Sequence, residues 1–143
     1  MTVEQRAARR DSIGTLRAAM RMQVLASIAG RENEPAGTVF KNVQILKDMP
    51  AGRFVVLMDS TWGRGLGRNC TDCHVANNYA SDSLARKKTA RIMASVVEGI
   101  NGEQLTKLPA RPGPNGAPGT TPKITCITCH RGNPGGPGQA LMP

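Results

Sequence analysis

Two copies of the pattern Cys-x-x-Cys-His carry the most specific chemistry in the chain, at residues 70–74 and 126–130. Together they use all four cysteines and both histidines of the sequence. Two thiols at this spacing can each form a thioether to one vinyl group of a porphyrin, and the histidine can then bind the iron. The pattern therefore predicts two covalently attached c-type haems. The predicted attachment residues and iron ligands are Cys70, Cys73 and His74, and Cys126, Cys129 and His130.

Two other chemistries use paired cysteines, namely a four-cysteine zinc site and a pair of disulfides. Zinc ribbons place no requirement on the residue after the second cysteine, whereas that residue is histidine in both copies here. A disulfide inside a Cys-x-x-Cys unit is strained and redox-active, which makes it a poor structural link. Covalent haem is the interpretation that also accounts for the histidines.

The composition indicates a small domain with few large side chains for its core. The 143 residues include 16 glycines and 10 prolines, and only 3% of the chain is aromatic. Two haems would each add a flat apolar surface against which side chains can pack. No stretch of the sequence approaches the ~20 apolar residues that a membrane-spanning helix needs.

The formal charge is +9 before any haem propionates are counted. Such basicity is typical of nucleic-acid-binding proteins, but neither a binding motif nor aromatic residues interleaved with basic ones accompany it. We therefore predict no nucleic-acid partner and expect an acidic protein surface or an anionic lipid surface instead. Residues 9–30 match a twin-arginine export signal only weakly, because Arg17 and Arg21 interrupt its apolar region.

Residues 2–29 predict a helix, because they are rich in Ala, Arg, Leu and Met and are followed by a stop signal at Gly30. On a helical wheel, a basic arc lies beside an apolar arc. The basic arc contains Arg6, Arg10, Arg17 and Arg21. One interpretation is a helix that docks on its own domain with a solvated basic edge, which the touching arcs favour. The other is a helix that docks the protein on a membrane complex.

Each Cys-x-x-Cys-His copy is preceded by a predicted helix and a turn. The expected elements are an extended segment at 39–46, a helix at 48–62, a glycine-rich turn at 63–67, a helix at 81–101 and an irregular stretch at 109–122. Ser81 or Asp82 is expected to cap the second of these helices. The order of helix, turn and motif therefore occurs twice.

Neither histidine is left to bind the second axial position of an iron, so another side chain must do so. A methionine thioether is the usual alternative, and it stabilises the reduced iron. Among the seven methionines, Met58 and Met93 are the interior ones on the helix before each motif. Each also shares an apolar helical face, which is equally typical of a core residue. Two irons without a sixth ligand favour Met58 for the first haem and Met93 for the second.

Five segments taken together carry a family resemblance. They are residues 41–54, 69–74, 90–93, 100–101 and 125–134. Over about residues 39–134, without the N-terminal helix, the chain resembles the cytochrome c subunit of photosynthetic reaction centres. Most haems of that family take their sixth ligand from a methionine on the preceding helix, so the resemblance implies Met58 and Met93 as ligands. Its photosynthetic members carry four haems in two similar halves, and this chain has the motifs of one half.

We therefore predict an all-α, loop-rich multihaem cytochrome c domain with two helix–turn–Cys-x-x-Cys-His units plus an N-terminal helix. The expected divisions are a docking or anchoring helix at 1–30, a two-haem domain at 31–134 and a Gly/Pro-rich tail at 135–143. The expected function is single-electron transfer, without catalytic residues, from a donor to a membrane-bound complex such as a photosynthetic reaction centre. The expected location is the periplasmic or extracellular side of a membrane. Two alternatives stay open, a subunit of an extracellular or respiratory haem filament and a haem enzyme with one open iron.

Overall fold

The computed structural model describes residues 2–135, which fold into helices joined by ordered loops without a β-strand. The α-helices are α1 (Val3–Ser27), α2 (Ala36–Val39), α3 (Ala51–Leu57), α4 (Arg64–Leu66), α5 (Ala85–Gly99) and α6 (Cys126–His130). The predicted all-α, loop-rich class is therefore confirmed. Within the described part of the chain, every helix is too short or too polar to cross a bilayer. The tail predicted at 135–143 lies, apart from its first residue, outside the described residues.

Helix α1 begins with a capping box at its first turn. The Thr2 hydroxyl accepts a hydrogen bond from the Gln5 backbone N–H, and the Gln5 side chain accepts one from the Thr2 N–H. The helix ends at Ser27, and the next residue, Ile28, is buried. Because α1 packs against α3 and the turn that follows α3, the N-terminal helix is docked on its own domain.

Helices α3 and α5 both continue into π-helical turns. The turn after α3 is Met58–Gly63, and it leads into α4, which stops at Gly67 with a φ of 60°. The turn after α5 is Ile100–Gln104, and a 3₁₀ turn at Leu105–Lys107 follows it. A π turn re-aims the side chains on either side of it and is frequent at functional sites. The sequence pattern predicts a continuous helix through residue 62 in the first place and a helix end at residue 101 in the second, and it contains no signal for the wider turn in either.

Two local predictions are wrong. The segment expected to be extended, 39–46, consists of turns after α2, with positive φ angles at Asn42 and Leu46. The expected cap of α5 does not form, since the helix begins at Ala85 and its N-cap Leu84 makes no side-chain capping bond. The Asp82 carboxylate pairs with side chains farther along α5 instead, so tertiary contacts override the local capping preference.

The core of the described residues is small. The buried hydrophobic residues are Ile28, Ala36, Ala51 and Val55. Two alanines with no exposed surface, Ala36 and Ala51, lie where the chain folds back on itself, because Ala36 N–H donates to the Met49 carbonyl and Ala51 N–H donates to the Glu34 carbonyl. Large apolar side chains of α5 and α6, by contrast, lie at the surface. Exposed apolar side chains that form a patch are typical of a site that a ligand or partner covers.

Two glycines allow α6, which carries the second motif, to pack directly against α4. Gly65 is buried, and its carbonyl accepts a hydrogen bond of 2.9 Å from the Gly132 N–H. A Cβ at Gly65 would lie 3.0 Å from the Cys126 Cβ and 2.9 Å from the Ile127 nitrogen. Gly67 has a left-handed backbone, and a Cβ there would overlap the Gly132 carbonyl. The glycine-rich turn therefore brings the second motif against the end of the first helical unit.

Replacing these glycines should destabilise the protein. We expect Gly65→Ala to lower the free energy of unfolding by about 1–3 kcal/mol, because the methyl group overpacks a closed contact. Gly67→Ala should lower the free energy of unfolding by about 1–2 kcal/mol, because alanine disfavours the left-handed backbone conformation at this position. Urea denaturation measures both effects. Gly102→Ala is the control, since a Cβ at Gly102 meets no atom within 4 Å. A Gly65→Ala loss no larger than that of the control would contradict this packing.

Candidate haem-binding sites

The first Cys-x-x-Cys-His copy faces a cavity of about 300 Å³ between α1, α3 and α5. Cys70, Cys73 and His74 line this cavity, and Met58 lines it from the start of the π turn. The structure thus brings together the four residues that the sequence predicts for the first haem. Much of the remaining lining is apolar or aromatic, and it includes Phe40, Val43, Val55, Trp62 and Tyr79.

The His74 ring is oriented by the backbone carbonyl of Tyr79. Its Nδ1 lies 3.1 Å from that oxygen, and a carbonyl only accepts, so Nδ1 carries the proton. The lone pair of Nε2 is then free for a metal, which is the arrangement found in most metal-binding histidines. Burial lowers the pKa of His74, although the hydrogen bond to the Tyr79 carbonyl partly opposes this effect. The environment therefore favours the neutral imidazole that an iron ligand must be.

The ring of His130 is held in the same way. Its Nδ1 lies 3.1 Å from the Asn133 carbonyl oxygen, so this ring also donates through Nδ1 and leaves Nε2 available. The chain reverses just after the motif, because Arg131 and Gly132 both have positive φ angles. This reversal brings the Asn133 carbonyl back to the ring. Both copies of the motif therefore present their histidines with one common geometry.

In each copy, the residue just before the motif and the second variable residue of the motif form a capping box. In the first copy, the Asn69 side chain accepts from the Asp72 N–H at 3.1 Å, and the Asp72 carboxylate accepts from the Asn69 N–H at 3.0 Å. In the second copy, Thr125 and Thr128 form the same reciprocal pair. Capping boxes satisfy N–H groups at the start of a helix that would otherwise lack partners. The short helix of each motif can therefore form although it spans little more than one turn.

Lys87 supports the carbonyl that orients His74. The lysine is 7% exposed, and its Nζ donates to the carbonyls of Tyr79, Ala80 and Ser81 at 2.7, 3.0 and 2.8 Å. The Tyr79 oxygen thus accepts from both His74 and Lys87. A buried ammonium needs such partners, since it costs several kcal/mol when left unpaired. Helix α5 thereby fixes the loop behind the first histidine.

Asp82 completes this contact between the loop and α5. It accepts two hydrogen bonds of 2.9 Å from Arg91 and lies 3.1 Å from the Lys87 ammonium. The hydrogen bonds from Arg91, then those from Asn42 and Lys87, hold the pKa of the Asp82 carboxyl well below its usual range. The ionised carboxylate is therefore part of the folded loop.

The pKa of Asp82 predicts how acid affects stability. Its pKa in the folded protein lies below the value of about 3.9 for an unfolded chain, so its contribution is complete above about pH 4 and is lost as the pH falls. We expect Asp82→Asn to lower stability at neutral pH and to flatten the fall in unfolding free energy below about pH 4. The exposed Asp48→Asn is the control. Equal pH slopes for Asp82→Asn and the wild type would contradict this role.

The second site is more open than the first. Cys129 and Ile127 are exposed, and Met93 is 43% exposed and does not line the cavity of the first site. The described contacts therefore do not bring Met93 to His130, and Met93 stays a predicted ligand. What ties α5 to the second motif is Asn101, whose side chain donates to the Ile124 carbonyl at 2.9 Å and accepts from the Ile124 N–H at 2.8 Å.

These residues fit haem better than the other two chemistries. In residues 2–135, His, Cys, Asp and Glu side chains form no group of three or more that could hold a metal ion, and all four cysteines are free thiols. A four-cysteine zinc site is therefore not assembled. An apolar cavity that contains two thiols, an imidazole and a thioether matches attachment and ligation of a porphyrin. Exposed apolar side chains on α5 and α6 offer a further surface for a second one: Ile92, Met93, Val96 and Ile127.

Sequence reasoning missed the part of the first site that α1 supplies. Arg17 Nε lies 2.6 Å from Asp59 Oδ1, and Arg21 Nη1 lies 2.7 Å from Asp59 Oδ2. These three residues and Met20 line the same cavity as Met58. The expectation of one solvated basic arc is thus wrong for Arg17 and Arg21, which turn inward. The available signal was Asp59 itself, the single acidic residue between positions 49 and 71.

A family model described as photosynthetic reaction centre cytochrome c subunit matches residues 4–137. The match includes α1, so the resemblance extends farther towards the N-terminus than the motifs indicated. The reaction centre cytochrome c subunit of Thermochromatium tepidum is 37% identical over 101 residues, which are 69% of this chain and 22% of that protein. Cytochrome c-554 of Chloroflexus aurantiacus is 33% identical over 93 residues, which are 65% of this chain and 20% of that protein.

The reaction centre cytochrome c subunit of Rubrivivax gelatinosus is 31% identical over 112 residues, which are 78% of this chain and 27% of that protein. The chain thus spans between a fifth and about a quarter of the length of these curated relatives. The family match covers nearly all of the chain, including both motifs and the cavity between α1, α3 and α5. The chain therefore belongs to the family of photosynthetic reaction centre cytochrome c subunits.

Proposed function

We propose that this chain is an electron-transfer cytochrome with two covalently bound haems, and that it delivers single electrons to a membrane-bound photosynthetic reaction centre. The observation that carries the proposal is the shared geometry of the two motifs. In each, the histidine donates through Nδ1 to a backbone carbonyl and keeps Nε2 for a metal. The names of two relatives, reaction centre cytochrome c subunits, support the choice of partner.

The residues of the first site have separate roles in this proposal. Cys70 and Cys73 would form the covalent links, and His74 and Met58 would bind the iron. Bound haem would supply a one-electron couple, whose potential the protein sets through axial ligands, burial and nearby charge. Lys87 holds the Tyr79 carbonyl in place and so fixes the orientation of the histidine. A thioether opposite an imidazole stabilises the reduced iron and raises the potential.

The second site uses Cys126 and Cys129 for attachment, with His130 and Met93 as the proposed iron ligands. Its position relative to the first site follows from the contact between α6 and α4. Because Gly65 and Gly67 allow close approach there, α6 packs against the helix that shortly precedes the first motif. A fixed, short separation between two redox centres is what transfer of single electrons from one to the other requires. No bond of a substrate is made or broken, so we propose no enzymatic activity.

The proposed location is the periplasmic face of a membrane, with peripheral association through the reaction centre. The sequence carries a formal charge of +9, which would speed encounter with an acidic protein surface and make that encounter sensitive to salt. The electron donor that loads the chain would bind elsewhere on the surface. Arg9 and Arg10 on α1 are exposed and contribute to this field.

Haem content is the direct test of the proposal. We expect the intact mass of the purified chain to exceed that of the polypeptide by two haems, and the colour to survive denaturation, because thioether links are covalent. The double variants Cys70→Ala/Cys73→Ala and Cys126→Ala/Cys129→Ala should each lose one haem and keep the other. A colourless protein that contains zinc would refute the proposal, and a mass increase of a single haem would refute its two-haem form.

One observation favours a second candidate, a haem enzyme with one open iron. Met93 is 43% exposed, and without a sixth ligand the second iron could bind a small substrate such as peroxide. Carbon monoxide binding to the reduced wild-type protein separates the two candidates. The electron-transfer proposal expects six-coordinate irons and therefore little binding, whereas stoichiometric binding at one haem would favour the enzyme. Met93→Ala should then create such binding only if Met93 is a ligand.

A further inference from the structure

We propose that Arg17, Asp59 and Arg21 form a charge cluster that sets the reduction potential of the first haem, and that α1 is thereby a wall of this site. The cluster residues are positioning and tuning residues and do not bind the iron. The inference rests on the proposed function, because it requires haem at Cys70 and Cys73. It concerns Arg17 and Arg21 of α1 and Asp59 of the π turn, which no sequence motif indicates as part of a haem site.

The geometry of the cluster is that of a buried, well-paired carboxylate. Each oxygen of Asp59 accepts one charged hydrogen bond, at 2.6 Å from Arg17 and 2.7 Å from Arg21. The side chain of Asp59 is 11% exposed and that of Arg17 is 13% exposed, so water screens these charges less than it screens charges on the surface. The two arginines are four residues apart and therefore reach Asp59 from one face of α1.

The cluster is adjacent to the proposed iron ligand. Asp59 follows Met58 directly in the π turn, and both line the cavity together with Arg17 and Arg21. At the end of the same turn, a Cβ at Gly63 would lie 2.5 Å from the Arg17 Cδ. The side chain of Arg17 thus passes directly over Gly63 on its way to Asp59, where a larger residue would crowd it. The ion pairs therefore hold α1 against the turn that presents Met58.

The charges of the cluster act at the haem attachment site. Burial is the main reason that the pKa of the Cys70 thiol is raised, but the Asp59 charge raises it further and the Arg17 charge lowers it. A charge that influences Cys70 would also influence an iron held beside it. A carboxylate stabilises the oxidised iron, which has one more positive charge, and a guanidinium stabilises the reduced iron. The cluster has one negative and two positive groups, so we infer that its net effect raises the potential.

Neutral, near-isosteric variants of the full-length holoprotein test this inference. We expect Asp59→Asn to raise the midpoint potential of one haem and Arg17→Gln to lower the potential of the same haem, with the other haem unchanged. Met58→Ala identifies which of the two potentials belongs to the first site. Spectroelectrochemical titration gives both potentials. The Met–iron near-infrared band must persist in each variant, since its loss would mean that the ligand, and not the charge, had changed.

The control variants replace a residue of the exposed ion pair between Arg31 and Glu34, in which Arg31 Nη2 lies 2.9 Å from Glu34 Oε2. Arg31→Gln and Glu34→Gln should leave both potentials unchanged. Where Arg17→Gln does not fold, the less buried Arg21→Gln should shift the potential in the same downward direction. If Asp59→Asn and the arginine variants shift the midpoint potential in the same direction, or if none of them shifts it, the inference is wrong while the proposed function stands. A chain without covalent haem, judged from its mass, would instead overturn the proposed function.

Discussion

Met58→Ala should remove the near-infrared band of one Met–iron bond, lower the potential of the first haem and open its iron to carbon monoxide. Met58 lines the same cavity as Cys70, Cys73 and His74, and it stands at the first position of a π turn. Loss of the thioether removes the soft ligand that stabilises the reduced iron. The visible and near-infrared spectra, with a redox titration, measure all three changes. The second haem serves as an internal reference, because its ligands are unchanged.

A second methionine makes this experiment selective. Met20 lines the same cavity from α1, so it is the rival sixth ligand within reach of the site. We expect Met20→Ala to retain the band, and the surface variant Met22→Ala, at a residue 61% exposed, to behave as the wild type. If Met58→Ala keeps the full band while Met20→Ala loses half of it, the ligand comes from α1. The prediction for Met58 would then be wrong.

The first site could be assigned from sequence because its chemistry is concentrated in a short motif. Cys70, Cys73 and His74 are fixed by their spacing, and a capping box at Asn69 gives the motif its helical turn. Met58 could be selected because it lies in the interior of the helix that precedes the motif, although its apolar helical face is equally typical of a core residue. These local relationships are properties of sequence spacing and do not depend on how distant elements pack.

The parts of the site that were missed depend on long-range packing. Arg17 and Arg21 were assigned to a solvated arc, since a helical wheel shows which residues share a face and not what that face contacts. Their partner Asp59 lies about 40 positions away along the chain. Lysine is a residue type that is mostly exposed, yet three backbone carbonyls accept hydrogen bonds from the Lys87 ammonium. Such contacts become visible only in three dimensions.

The fold class followed from the sequence, whereas the details of helix ends did not. The expected cap at Ser81 or Asp82 obeys the local preference for such residues at an N-terminus. In the structure one nitrogen of Arg91 donates to both carboxylate oxygens of Asp82, a charged contact that outweighs one capping bond. The two π turns were not predicted either, because each spans only six or five residues, too few to reveal a period different from that of an α-helix.

Deleting residues 1–29 should destabilise the protein strongly and impair the first haem site. An external docking helix could be removed without loss of haem, whereas α1 lines the cavity of the first site. In the structure Asp59 is 9% exposed and pairs with Arg17 and Arg21, and the deletion removes both partners together with the helix that packs against its turn. Removing the partners of a buried charge costs about 3–5 kcal/mol, a large part of the ~5–15 kcal/mol that stabilises a typical domain. Urea denaturation and the Met–iron band of the first haem measure both consequences.

Two variants distinguish the loss of this ion pair from a loss of surface charge. Arg9→Gln/Arg10→Gln removes two exposed charges from the same helix, and it should change stability by no more than about 0.5 kcal/mol. Asp59→Asn in the truncated chain should recover part of the lost stability, because the amide removes the unpaired charge. A truncated protein as stable as the wild type would contradict the role of α1 in the site.

Since Arg17 and Arg21 face Asp59, reversal of their charge would damage the fold as well as any docking surface. Reversal at Arg9 and Arg10 is therefore the variant that tests binding to a membrane complex, through the salt dependence of electron delivery.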